Sequence, residues 1–136
     1  MNEQDLAAFR SSVNRCVAGE EFLEDFYDRF LASSEEVRAK FSGTDMRTQK
    51  RALADSFFLL AVAVQGKSTS PSWKQMGRIA ERHSRSGMDI GPELYDLWLD
   101  CLMQAVAAHD PEYSPEIDAA WRSVLGEGIT FLRSRR

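Results

Sequence analysis

The stretch Ser70-Pro71-Ser72-Trp73-Lys74-Gln75-Met76-Gly77-Arg78-Ile79-Ala80-Glu81-Arg82-His83 decides how the chain is read. Ser70 before Pro71 is a helix-start signal. A serine oxygen can accept one of the unpaired first-turn N–H groups, and a proline at the first helical position lacks only an N–H that has no partner there. From that start Trp73, Met76, Ile79, Ala80 and His83 recur at spacings of three and four, which is one face of a helix. The face is apolar until it reaches His83. An imidazole there needs partners for two ring nitrogens. A metal on one nitrogen removes half of that need, and apolar surroundings favour the neutral ring that ligation requires. The alternative is a core or boundary histidine bonded to a backbone carbonyl, and His83 by itself leaves both readings open.

The same marks recur outward from this stretch. Gly91-Pro92 and Ser114-Pro115 read as helix starts, Thr44-Asp45 as a cap, and Ser33-Ser34-Glu35-Glu36 as a capping box. Between them lie further apolar faces: Leu23, Tyr27, Phe30 and Leu31; Leu53, Phe57, Leu60 and Val64; Leu94, Leu97, Trp98, Cys101 and Ala105; Ile117, Ala120, Trp121, Val124, Leu125 and Phe131. No sustained alternation of period two appears, so strands are not expected. The reading is all-α, with helices near 3–17, 20–32, 34–40, 45–64, 72–86, 92–107 and 115–134 and loops at 65–70, 87–91 and 108–114. Gly126 and Gly128 fall inside the last helix, where each costs about 1 kcal/mol against alanine. Close approach of a neighbouring backbone is the expected compensation.

Composition bounds the function. The chain has 136 residues, 43% apolar and 28% charged, enough for one packed domain over 1–136 and unlike a disordered chain. Its 17 basic and 21 acidic residues give a net charge of −4, so no nucleic acid or anionic membrane is expected as partner. The longest apolar run, residues 57–64, is far short of the ~20 residues of a membrane span. The start Met1-Asn2-Glu3-Gln4-Asp5 is polar and unlike a signal peptide. Cys16 and Cys101 form no CxxC motif and read as free thiols, which makes the cytoplasm the expected compartment. With only His83 and His109 in the chain, most multi-histidine metal sites are excluded.

Several segments together resemble a known family. Phe26-Tyr27-Asp28-Arg29-Phe30-Leu31, Glu36-Val37-Arg38-Ala39-Lys40-Phe41 and Thr44-Asp45-Met46-Arg47-Thr48-Gln49 are similar to the first half of a globin. Glu81-Arg82-His83-Ser84-Arg85-Ser86-Gly87-Met88 resembles the globin proximal segment, and Ala119-Ala120-Trp121 the opening of the last helix. The best match is to single-domain bacterial haemoglobin-like globins. That resemblance implies helices sandwiching a buried haem b (iron protoporphyrin IX), with His83 as axial iron ligand through Nε2. It implies Phe41 packed on the porphyrin, Gln49 as the distal polar residue and Leu53 as an apolar gate. Tyr27 would point its hydroxyl into the distal pocket, and Ile79 and Met88 would line the proximal side. The implied function is reversible binding of oxygen or another diatomic gas such as nitric oxide or carbon monoxide. A hydrogen bond from Tyr27 or Gln49 to a partly negative bound ligand is worth roughly 1.5–3 kcal/mol, or about ten- to a hundredfold in affinity.

Other readings stand beside these. Tyr27 and Phe41 also suit an ordinary core, and Gln49 a solvated position. A rotated helix would turn Met46 or Lys50 to the haem instead. Arg82, Arg85, Lys50 and Arg51 are candidates for haem propionates or plain surface charge. Trp73, Trp98 and Trp121 read as core or interface residues, His109 as a solvated loop residue, and the two cysteines as small core residues without a bilin-attachment setting. The position four after Trp121, where peroxidase-like relatives carry a polar partner for the proximal histidine, is Leu125. Two alternatives in function remain: a nitric oxide dioxygenase served by a separate reductase, and a haem-free globin-fold regulatory or interaction module. A homodimer is compatible with either.

Overall fold

The computed structural model describes residues 2–66, 70–83 and 90–134, leaving out the side chains of residues 82 and 83. Among the described residues there are seven helices and no strand: α1 Glu3–Val17, α2 Glu21–Ser33, α3 Glu35–Lys40, α4 Met46–Ala63, α5 Pro71–His83, α6 Pro92–His109 and α7 Pro115–Ser134. The three prolines start α5, α6 and α7 as their spacing predicts. Ser70 Oγ accepts from Trp73 N at 3.4 Å and Ser114 Oγ from Ile117 N at 3.2 Å. Asp45 caps α4 through the N–H groups of Arg47 and Thr48. The part of the expected fifth helix beyond residue 83 lies outside the described residues.

Four expectations are corrected. Ser34 caps α3 alone through Val37 N, while Ser33 Oγ donates to the Phe30 carbonyl, so there is no reciprocal capping box. Helix α6 runs to His109, two residues beyond its expected end. His109 is therefore no solvated loop residue. Its ring is half-buried, 3.0 Å from Asp25 Oδ2 and edge-on to Phe22, so it ties α6 to α2. Gly128 is held by a close neighbour, but that neighbour is a side chain. A Cβ there would lie 3.0 and 3.2 Å from the methyls of Leu60. Gly126 has open space around it and no such reason.

Two helix pairs, α1 on α7 and α2 on α6, carry the most extensive packing, and α4 lies against α5. Trp121 is fully buried where α1, α2, α4 and α7 meet, edge-on to Phe9 at 4.9 Å and Phe57 at 5.3 Å. A buried indole N–H needs an acceptor. Trp121 Nε1 donates to Ser12 Oγ at 2.8 Å, and Ser12 donates in turn to Asp110 Oδ2. Arg15 closes the network with two bonds to the Asp110 carboxylate, 2.7 and 2.9 Å. Both cysteines are buried free thiols, and burial pushes the Cys16 thiol up to about 12, which leaves it unreactive.

Burial by itself raises the Asp110 pKa, but the bonds from Arg15, Ser12 and the Glu112 N–H outweigh it and hold the carboxyl below its ordinary range. A depressed folded pKa adds stability that is present above about pH 4 and is lost as pH falls through the folded value. Asp110→Asn should therefore cost roughly 1.5–3 kcal/mol at pH 7, because it removes the charged acceptor of Arg15 and Ser12 and leaves Arg15 only the exposed Glu112 at 3.5 Å, and the cost should shrink as the pH is lowered toward 3. Urea unfolding of both proteins across that range checks the expectation.

Candidate functional site

A cavity of about 240 Å³ lies between α2, α4, α5, α6 and α7. Its walls are aliphatic and aromatic, and each helix contributes through the apolar face that also makes the core. Leu53, Phe57 and Leu60 come from α4, Met76 and Ile79 from α5, Leu94 and Trp98 from α6, and Leu125, Ile129 and Leu132 from α7. The contact between Leu60 and Gly128 lets α7 approach α4 at the inner end.

The structure brings five of the sequence-predicted residues together on this one cavity: Tyr27, Phe41, Gln49, Leu53 and Ile79. Phe41 caps the end of short helix α3, where its N–H bonds back to Val37 and its ring meets Tyr27 and Phe30 edge-on at 6.0 and 6.1 Å. Gln49 and Leu53 are one turn apart on α4, so the register places the amide and the apolar residue on the same wall. Met46 and Lys50, the alternatives for a rotated helix, are not among the lining residues. His83 is the last residue of α5, four and seven positions after Ile79 and Met76, which line the cavity. Its side chain lies outside the description, and Met88 lies outside the described residues.

Tyr27 and Gln49 form the polar centre of this wall. Tyr27 is only 3% exposed. Gln49 Nε2 donates to the Tyr27 hydroxyl oxygen at 3.1 Å. Burial pushes the phenol up to about 12, and the weaker opposing pull is the Gln49 bond, so Tyr27 keeps its proton throughout the physiological range. Because its oxygen is already an acceptor, the hydroxyl proton is directed elsewhere, and no described side chain accepts it.

Sequence reasoning missed other lining residues. Lys40, at the end of α3, is half-buried on the cavity wall. Tyr95 is buried and lines the cavity from α6, although it lies off the apolar face read for that helix. Trp98 was expected in a core or interface. It does pack edge-on to Phe26 at 6.1 Å, and it also faces the cavity. The periodic pattern of α6 signals an inward face but not which part of that face borders open space.

Comparison with known families identifies the chain. It matches the Globin family model over residues 24–131, most of its length, and belongs to the globin family. Among solved structures it is similar to a Pseudomonas aeruginosa PAO1 protein described as structurally highly homologous to a human haemoglobin. The two share 43% identity over 96% of this chain and 97% of that one, with a TM-score of 0.88. Comparison with curated proteins finds no match. The chain is thus a globin of the bacterial haemoglobin-like type, and globins as a family hold haem and bind diatomic gases. Among the described residues, no helix is long and apolar enough to cross a membrane.

A phenol pKa raised in the folded state stabilises the fold below the ordinary value near 10, and that stabilisation is lost as pH rises through about 12. Tyr27→Phe should remove a late phase from the ultraviolet phenolate titration and flatten the fall in stability above about pH 10. An unchanged titration would place the phenol in water.

Proposed function

We propose that this globin holds haem b in the cavity between α4 and α5 and reversibly binds oxygen or another diatomic gas there. The carrying observation is the Tyr27–Gln49 pair, a polar donor set on one wall of an otherwise apolar cavity. The donor set suits the group: flat aromatic and aliphatic walls match a porphyrin's faces, and a half-buried Lys40 on the wall matches its anionic edge. Bound haem supplies an iron with one position for the protein and one for a gas.

In this reading His83 is the metal ligand, through Nε2, and Ile79 and Met88 line its side of the porphyrin. Phe41 packs on the porphyrin face. Tyr27 holds its proton at Oη, aimed at the gas position, and Gln49 fixes the phenol by occupying its oxygen. Leu53, Phe30 and Phe41 keep water away from that proton. A bond from Tyr27 to a ligand that gains negative charge on binding contributes roughly 1.5–3 kcal/mol. Such a donor serves gas storage and also nitric oxide dioxygenation with electrons from a separate reductase. A haem-free module would have its pocket filled by large side chains, whereas here the cavity is open and carries a directed phenol. The buried free thiols of Cys16 and Cys101 fit a reducing compartment, and we place the protein in the cytoplasm as one globin domain over 1–136.

Titration of the purified chain with haem should reach one equivalent and produce an intense Soret band, and His83→Ala should abolish or grossly alter it. With haem bound, Tyr27→Phe should release oxygen about ten- to a hundredfold faster. A wild-type chain that takes up no haem would refute the reading. Equal release rates would remove Tyr27 from the site.

A further inference from the structure

Helix α4 has two faces of different kinds. Gln49, Leu53, Phe57 and Leu60 line the cavity. Half a turn away, Thr48, Arg51, Asp55, Phe58 and Val62 follow one another at alternating spacings of three and four, which keeps them on one seam of one helix. All five are exposed. Phe58 and Val62, at 39% and 52%, are large apolar side chains that the fold leaves uncovered.

The charges on this seam are of both signs. Arg51 and Asp55 are one turn apart, yet neither makes an ion pair with any described residue. Arg29 and Asp25, and Arg122 and Asp118, do pair at that same spacing. In those two pairs the acid precedes the base, which is the order that helix geometry favours, whereas in α4 the base comes first. A partner of one sign would satisfy one of the two charges and repel the other. The surface that satisfies both is the seam itself, turned end for end. With a twofold axis at the level of Leu53, Arg51 of each copy lies across from Asp55 of the other. Phe58 then lies across from Thr48, whose hydroxyl is turned onto Asp45 at 3.2 Å, so that its methyl and the neighbouring Arg47 stem cover the ring. Val62 meets Thr44, just before the start of α4 in the second copy.

We propose that the outward seam of α4 is a self-association surface on which a second copy of this chain docks antiparallel. Two α4 axes packed at about 8–10 Å bring both Arg51–Asp55 pairs within reach. The apolar groups lie on either side of these pairs and are covered as they form. Helix α4 has 18 residues, or about 27 Å of length. A seam one helix wide covers less than the ~800 Å² per partner of a stable interface, so the dimer forms at high concentration and dissociates on dilution. The seam faces away from the cavity, so haem-free and haem-loaded copies associate alike, and this inference stands apart from the gas-binding reading.

Sedimentation velocity of the chain at low salt, from about 1 μM to about 1 mM, tests this over the range in which so small an interface dissociates. The mass should rise from one chain toward two. R51D and D55R should each weaken association at least about tenfold, because each sets like charges across the axis. The double variant R51D/D55R should restore it, because the pairs form again with their signs exchanged. R51Q and D55N, which remove a charge without opposing one, should weaken it less than the reversals. F58S/V62S should weaken it several-fold with the charges intact. R10D, the same change of charge at an exposed position of α1, should leave it unchanged. Every altered position is exposed, so urea midpoints should match the wild type. A chain that stays monomeric at the highest concentration overturns the proposal. A dimer indifferent to R51D or to F58S/V62S, or one that the double variant fails to restore, overturns it equally. So does a monomer that binds phosphatidylglycerol vesicles through Phe58 and Val62 in place of a second copy.

Discussion

A buried phenol whose oxygen is already bonded is the constraint around which the site is arranged. Gln49 occupies the Tyr27 oxygen, and the apolar surroundings keep the phenol neutral, so its one remaining capacity is to donate. In water such a proton is worth little, because solvent competes for it. In a cavity walled by Leu53, Phe57 and Trp98 it becomes a strong and directional group. The rest of the molecule serves to keep that cavity open while holding Tyr27 and Gln49 in register across α2 and α4.

Holding a cavity open is demanding in a chain of 136 residues, since close packing favours collapse. The solution separates rigid and open regions. Trp121 is clamped by Phe9 and Phe57 and bonded through Ser12 to Asp110 and Arg15, which locks α1, α7 and the end of α6 together. The pair His109–Asp25 ties α6 to α2, the helix that carries Tyr27. Against this frame α4 lies across α7 where Gly128 accommodates Leu60, so α4 presents Gln49 and Leu53 without a supporting side chain filling the space beneath them.

Much of this was legible in the sequence because the signals are local. Serine or glycine before proline marks helix starts whatever the tertiary context, and the 3.6-residue period of Leu53, Phe57 and Leu60 fixes which side of α4 faces inward. Tyr27, Phe41, Gln49 and Leu53 could be placed together because their resemblance to a globin supplied the three-dimensional relation that spacing lacks. What stayed hidden depends on contacts between distant segments. His109 looked like a loop residue because its partner Asp25 is 84 positions away. Tyr95 lies off its helix's apolar stripe, and only the meeting of α6 with the cavity shows that it is buried. Gly126 and Gly128 look alike in sequence, yet only one has a neighbour that needs the space.

A crystal structure of the chain grown with added haem examines the central claim most directly. The account predicts a porphyrin between α4 and α5, with the His83 ring on the iron from one side and the Tyr27 hydroxyl facing the opposite side while still bonded to Gln49. A His83 ring turned to solvent, or a Tyr27 hydroxyl pointing away from the iron, would contradict it.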